Sequence, residues 1–266
     1  MGHPNPRHIK EYTMKIKSKF LFSIISLLLV LSLAFCSCDV SVDLEYDGDD
    51  LIIGIENGSD NNSGSGNTSS TLESIPEWDG ETAFIVINDN KPFFTAAEIV
   101  SVSYESYGEL DGLGRCTVCI ACVGVDIMPT EERGSIGSVK PSGWQTVKYD
   151  FVSGKYLYNR CHLIGYQLTG ENANKQNLIT GTRFLNIEGM LPFEDMIADY
   201  VKETKNHVMF RVTPIFEGDN LVASGVLMEG WSVEDNGDGI CFCVYAYNNQ
   251  PGVVIDYATG DSHPEE

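Results

Sequence analysis

His162 stands in "YNRCHLIGYQLTGENANKQNLITGTRFLN", residues 158–186, next to Arg160 and upstream of Asn172, Asn174, Asn177 and Asn186. A hydrophobic core does not want so many amides, because each one buried without a partner costs about 1–3 kcal/mol. A site that handles a charged substrate has a use for them. Asparagine carbonyls are oxygen donors suited to a hard cation, and unlike carboxylates they leave the ion's positive charge largely uncompensated.

An imidazole beside neutral oxygen donors fits phosphodiester hydrolysis. The diester's negative charge repels a nucleophile, so the reaction gains from a base that activates water near neutral pH and a cation that takes up charge on the phosphoryl and leaving oxygens. Counting histidines narrows the choice of base. Of five, His3 and His8 lie at the extreme N-terminus, His263 lies in the tail, and His207 opens an expected strand. His162 remains, and a zinc site needing two or three imidazoles is disfavoured.

The cysteines carry less chemistry. Cys116, Cys119 and Cys122 in "CTVCIAC" have metal-like spacing, but residues three apart on a strand face opposite sides and no fourth ligand follows. Cys161 adjoins His162, yet neighbours in an extended segment point apart, which argues against a thiol–imidazole dyad. Cys241 and Cys243 share a strand face, as core residues or as a disulfide partner for another cysteine.

The stretch resembles the DNA/RNA non-specific endonucleases of the ββα-metal, or His-Me finger, type, particularly their secreted bacterial branch. The family motif Asp-Arg-Gly-His reads Asn159-Arg160-Cys161-His162 here, with Asn177 in "NKQNLITGT" and Asn186 in "TRFLN" at the two later asparagine positions. The likeness runs on through "GMLPFEDMIADYVKETKNHVMFRVTPIF" to "VVIDYATG", with weaker support upstream from "MPTEERGSI".

The resemblance implies His162 as general base, Asn186 as the direct protein ligand of magnesium, with manganese the alternative, and Asn177 as a positioning group. It implies Glu194 as the acid that holds metal-bound waters, and Arg160 as a support for the site or a phosphate contact. Arg115 and Arg133 are candidates for transition-state charge stabilisation, and Arg183 for a phosphate contact or a solvated position. The substrates implied are DNA and RNA, with no protein partner. Two departures stand out. Asn159 keeps the hydrogen-bonding capacity of the family's aspartate without its charge. Cys161 replaces a glycine, which is harmless in extended backbone and strained at positive φ. A nuclease-derived surface module that binds without cutting is the rival reading.

The elements that must position these residues follow from patterning. The expected class is α+β, a central antiparallel sheet with flanking helices and a ββα active-site motif. "TAFIVIN" (82–88) and "RCTVCIACVGV" (115–125) read as strands, the second nearly all buried, and "TAAEIVS" (95–101) as a short helix. "WQTVKYDFV" (144–152) alternates like an edge strand. "LPFEDMIADYVKETKNH" has proline and acids at its start and apolar residues at helical spacing. Three strands follow, "HVMFRVTPIFEG", "NLVASGVLMEG" and "GICFCVYAYN", the first two joined by a turn at Gly218-Asp219-Asn220.

Charge is uneven along the chain. The formal net of −21 over 266 residues is hostile to nucleic acid taken as a whole. Yet eleven acids and no lysine or arginine lie between Asp39 and Gly80, whereas residues 155–213 carry seven bases against six acids. The expected organisation is a leader and signal over 1–38, an acidic Gly/Ser/Asn-rich linker over 39–80, and the endonuclease domain over 81–266. Lys15, Lys17 and Lys19 before the uncharged run Phe20–Phe35 read as an export signal. Cys36 and Cys38 leave lipid tethering to the outer face of a bacterial membrane and free secretion both open, any membrane contact being through that anchor.

Overall fold

The computed structural model describes residues 75–266. The expected export signal, and the acidic linker up to residue 74, lie outside the described residues. Six strands form an antiparallel sheet in the order β1-β8-β7-β6-β3-β2. They are β1 (Phe84–Val86), β2 (Tyr104–Tyr107), β3 (Cys119–Val123), β6 (Val208–Ile215), β7 (Gly225–Ser232) and β8 (Cys241–Tyr247). The long members are rich in β-branched and aromatic residues, which fit a pleated, packed surface.

Alternation along these strands makes two apolar faces. One face carries Phe210, Val212, Val226, Met228, Phe242 and Val244, and packs with Phe193, Ile197 and Val201 of a 14-residue helix, α2 (Leu191–Thr204). Phe193 anchors it, with its ring centroid 4.8 Å from those of both Phe84 and Phe242. Pro192 and Glu194 occupy the first turn and Lys202 the last, each suited to its end of the helix. Lys205 closes the helix in a left-handed conformation, φ 64°, with its N–H donated to the Val201 carbonyl.

The opposite face holds Leu227, Cys243, Tyr245 and Tyr247, with Ile75 and Trp78 packed against them. On this face Arg211 donates to both carboxylate oxygens of buried Glu229, at 2.7 and 2.8 Å, and to Glu98 at 2.8 Å.

A separate two-stranded hairpin, β4 (Tyr158–His162) with β5 (Leu178–Thr182), leads through a π-helical turn, Leu185–Met190, directly into α2. The intervening loop contains the one-turn helix α1 (Tyr166–Thr169). The α+β class and the antiparallel sheet agree with the sequence patterning, and two local expectations do not. Residues 95–101 form a turn rather than a helix, because the Glu98 carboxylate captures the Thr95 N–H and hydroxyl, both at 2.8 Å. Residues 144–152 make only an isolated bridge, Lys148 to Tyr156, because the chain turns back on itself at residues 150–154 instead of meeting a sheet edge.

All six described cysteines are free thiols. Cys119 and Cys122 do leave β3 on different sides: the Cys119 thiol reaches the Gln176 carbonyl and Cys122 the Val100 carbonyl.

Candidate active site

His162 ends β4 with its ring almost wholly buried, 6% exposed. Its Nε2 lies 2.8 Å from the backbone carbonyl of Asn172, and its Nδ1 lies 3.1 Å from Nη2 of Arg133. A carbonyl only accepts and a guanidinium only donates, so the proton sits on Nε2 and the Nδ1 lone pair faces Arg133. Burial, reinforced by the positive charge of Arg133, pushes the imidazole pKa down to about 4. The ring is a neutral base throughout the neutral range.

The four asparagines take different roles. Asn177 is fully buried, and its amide forms a two-way clamp: Oδ1 accepts from the Ile164 N–H at 2.8 Å and Nδ2 donates to the Ile164 carbonyl at 2.9 Å. The Leu163 N–H is donated to the Asn177 carbonyl at 2.9 Å, so this one residue fixes the backbone immediately after His162. Asn174 Oδ1 accepts from the Gln176 N–H. These two amides serve the backbone and are not free cation ligands. Asn172 contributes its carbonyl to His162, while its own Oδ1 is buried without a partner.

Asn186 sits in the π-helical turn, whose wider bonding brings the Leu191 N–H back to the Asn186 carbonyl. Its side-chain Oδ1 accepts a hydrogen bond from the Cys161 thiol at 3.0 Å. Cys161 is ordinary extended backbone, absent from the positive-φ positions, so replacing the family's glycine brings no strain. Gly181 on β5 makes room for it, since a Cβ at 181 would lie 2.6 Å from that of Cys161.

Glu194 enters from the first turn of α2 and is 9% exposed. Gly165, three residues beyond His162, packs directly on its carboxylate; a Cβ at 165 would stand 2.5 Å from Oε2. Burial, with the neighbouring negative Asp195 adding to it, raises the Glu194 pKa to about 8. Arg133 opposes that shift and also acts on Cys161 and His162, so these four groups share one neighbourhood. Among the described residues no cluster of three or more His, Cys, Asp or Glu forms a conventional metal cage. A neutral amide oxygen with a weak thiol donor and a buried carboxyl short of positive charge nevertheless fit a hard divalent ion, which would relieve the desolvation of Glu194.

The remaining arginines are dispersed. Arg160 donates Nε to the Val139 carbonyl and Nη2 to the Gly137 carbonyl, and its guanidinium lies 4.0 Å from the Trp144 ring centroid. It ties the 137–144 loop to β4. Arg115 is paired with Asp111 at 2.7 Å and donates to the carbonyls of Gly218 and Asn220. The structure therefore does not bring Arg115 to His162, because its guanidinium is engaged in bracing the turn between β6 and β7. Arg183 borders a groove of about 540 Å³ with Asn159, Arg160, Trp144 and Tyr156. The Asn172 carbonyl and Gly165 were missed by sequence reasoning, since backbone groups and a glycine's lack of a side chain leave no pattern; the density of asparagines was the one available signal.

The family model for DNA/RNA non-specific endonucleases matches residues 97–233, which span the hairpin, the π-helical turn and α2. The chain belongs to the DNA/RNA non-specific endonuclease family. It is a nuclease. In fold this endonuclease is similar to NucA from Streptococcus agalactiae with a magnesium ion bound, at 23% identity over 75% of this chain and 94% of that one, with a TM-score of 0.63. The metal-free form of NucA gives 24% identity and a TM-score of 0.62. The Sda1 nuclease with a bound zinc ion is 28% identical over 62% of this chain and 82% of its own, with a TM-score of 0.52.

Proposed function

We propose that this endonuclease is exported and hydrolyses the phosphodiester bonds of DNA and RNA with little sequence preference, using magnesium and His162 as general base. The observation that carries the reading is the bonding of His162: a carbonyl fixes its Nε2 proton, leaving the Nδ1 lone pair as the ring's acceptor, held toward the Arg133 guanidinium. The Asn177 clamp and the Asn172 carbonyl hold the ring so that it need not reorganise to accept a proton.

In the proposed reaction Arg133 turns from Nδ1 to the phosphate, a water gives its proton to the freed Nδ1 as its oxygen attacks phosphorus, and the P–O bond to the leaving oxygen breaks, that oxygen taking a proton from solvent. The phosphate's negative charge raises the proton affinity of a ring that burial otherwise makes weakly basic. Arg133, whose guanidinium lies at Nδ1, neutralises charge developing on the phosphoryl oxygens. Asn186 and Glu194 would hold the divalent ion, Asn186 directly and Glu194 through water. When bound, that ion stabilises the phosphoryl and leaving oxygens. Phosphates are common to both nucleic acids and carry no base information, so weak sequence preference follows. The proposed organisation keeps a signal over 1–38 and a linker over 39–80, with export resting on the run from Phe20 to Phe35.

The test is incubation of the full chain with supercoiled plasmid and with a structured RNA, each with magnesium, manganese, zinc or chelator. Cleavage that needs a divalent ion, fails in His162→Ala and returns to His162→Gly with added imidazole is expected. Absence of cleavage with every ion overturns the reading.

A further inference from the structure

The arginines outside the site show how this protein treats a half-buried guanidinium. Arg211 faces two carboxylates, Glu229 and Glu98, and Arg115 faces Asp111 and two carbonyls. Arg160 donates to two carbonyls. Arg183 differs. Its Nε is buried with no acceptor, and its Nη1 reaches only the side-chain oxygen of Asn159, at a long 3.3 Å. Among the described residues it forms no ion pair. A cation held this way lacks the anion that would offset its desolvation.

The partner that is missing is the one the family motif supplies. Asn159 occupies the aspartate position of that motif, and a carboxylate there would lie against Arg183 and neutralise it. The amide leaves the guanidinium charged and available. Around it the groove lined by Asn159, Arg160, Trp144, Thr146, Ser153 and Tyr156 contains no acid at all, in a chain whose net charge is −21. Tyr156 is 46% exposed and has the Lys148 ammonium 4.4 Å from its ring centroid, which adds positive charge at the rim. Asn159 and Arg160 belong to the strand that ends in His162.

We infer that this groove is a subsite for the substrate strand away from the scissile bond, in which Arg183 takes a backbone phosphate and the Tyr156 ring accepts an adjacent unpaired base. The Asp-to-Asn departure at 159 creates the subsite. This rests on the nuclease reading above for the identity of the ligand, and the two are separable by experiment. An arginine–phosphate pair is charge-assisted and bidentate in its best geometry, and a base on an aromatic face is sequence-tolerant, so the subsite adds affinity without specificity.

The experiment measures equilibrium binding of a fluorescein-labelled 12-nucleotide single-stranded DNA to the full chain in chelator, where no cleavage occurs, over a series of salt concentrations. Asn159→Asp and Arg183→Gln are each expected to weaken binding about tenfold. Each is also expected to reduce the salt slope by about 0.7, the value of one lost phosphate contact on a single strand. Tyr156→Ala should weaken binding with the slope unchanged. Thermal melting monitors the fold, and Asn159→Asp serves as the near-isosteric variant that retains it. If the Asn159→Asp protein melts normally and binds with wild-type affinity and slope, the subsite is refuted, whatever the plasmid assay shows. If binding responds as expected while the plasmid stays intact with every ion, the hydrolytic reading fails and the subsite stands.

Discussion

Glu229 and Glu194 are both buried glutamates, set against opposite faces of the same sheet, and their surroundings could hardly differ more. Glu229, 1% exposed, accepts two hydrogen bonds from Arg211 and a third from the Phe93 N–H at 2.7 Å. Glu194 has a glycine against its carboxylate and an aspartate beside it, and burial outweighs the help of Arg133 and Gln167, so its pKa climbs to about 8. The first carboxylate is fully compensated and its role is architectural. The second lacks such partners, and a buried carboxyl raised this far is what makes its surroundings a candidate site.

The largest expected effect lies on the side of Glu194. His162→Ala should lower plasmid cleavage by about 10²–10⁴-fold while leaving the circular dichroism spectrum unchanged. Near-normal turnover would end the assignment. On the compensated side, Glu229→Ala should leave activity per folded molecule intact and reduce stability by up to about 3–5 kcal/mol, since it leaves the Arg211 charge with the more exposed Glu98 as its one carboxylate partner. Urea denaturation reads this directly.

A pH experiment sharpens the contrast further. A carboxyl raised from 4.5 to about 8 binds its proton more tightly folded than unfolded, so its contribution is fully present below about pH 4.5 and declines as pH rises toward 8. Metal-free protein should therefore lose stability across that window relative to Glu194→Gln, and saturating magnesium should restore part of it. Parallel stability curves for the two proteins would break the comparison. The smallest effect concerns the thiol at Asn186. Cys161→Ala removes a weak donor that competes for Oδ1, and the magnesium concentration for half-maximal rate should fall by about threefold.

Much of this arrangement is readable from residue types. The α2 helix announces itself through Pro192, the first-turn acids and the Phe193–Ile197–Val201 spacing, and the three C-terminal strands through β-branched and aromatic runs. His162 and Asn186 stand out through their resemblance to a motif. The π-helical turn is silent in the sequence, because Leu185–Met190 has the composition of any helix and only its packing against β5 and β8 reveals the extra residue. The partner through which Asn177 does its positioning is silent for a related reason. Whether Asn177 binds an ion or its own backbone depends on a contact across thirteen positions, to Ile164, that no spacing rule encodes. Lys148 reads as part of an edge strand over 144–152, and it meets Tyr156 at the rim of a groove because the chain reverses between them.

The free thiols give the domain an unplanned reporter. Five of the six described cysteines are buried, and desolvation holds Cys116 at about 11 and Cys122 at about 12, so few of them are thiolate at neutral pH. An alkylating reagent can reach most of them only when the surrounding packing opens. Mass added per molecule against time would thus serve as a clock for local opening, and because Cys116 and Cys119 bond to carbonyls of residues 175–178, the first of them to be labelled would reveal whether the segment leading into β5 loosens before the sheet does.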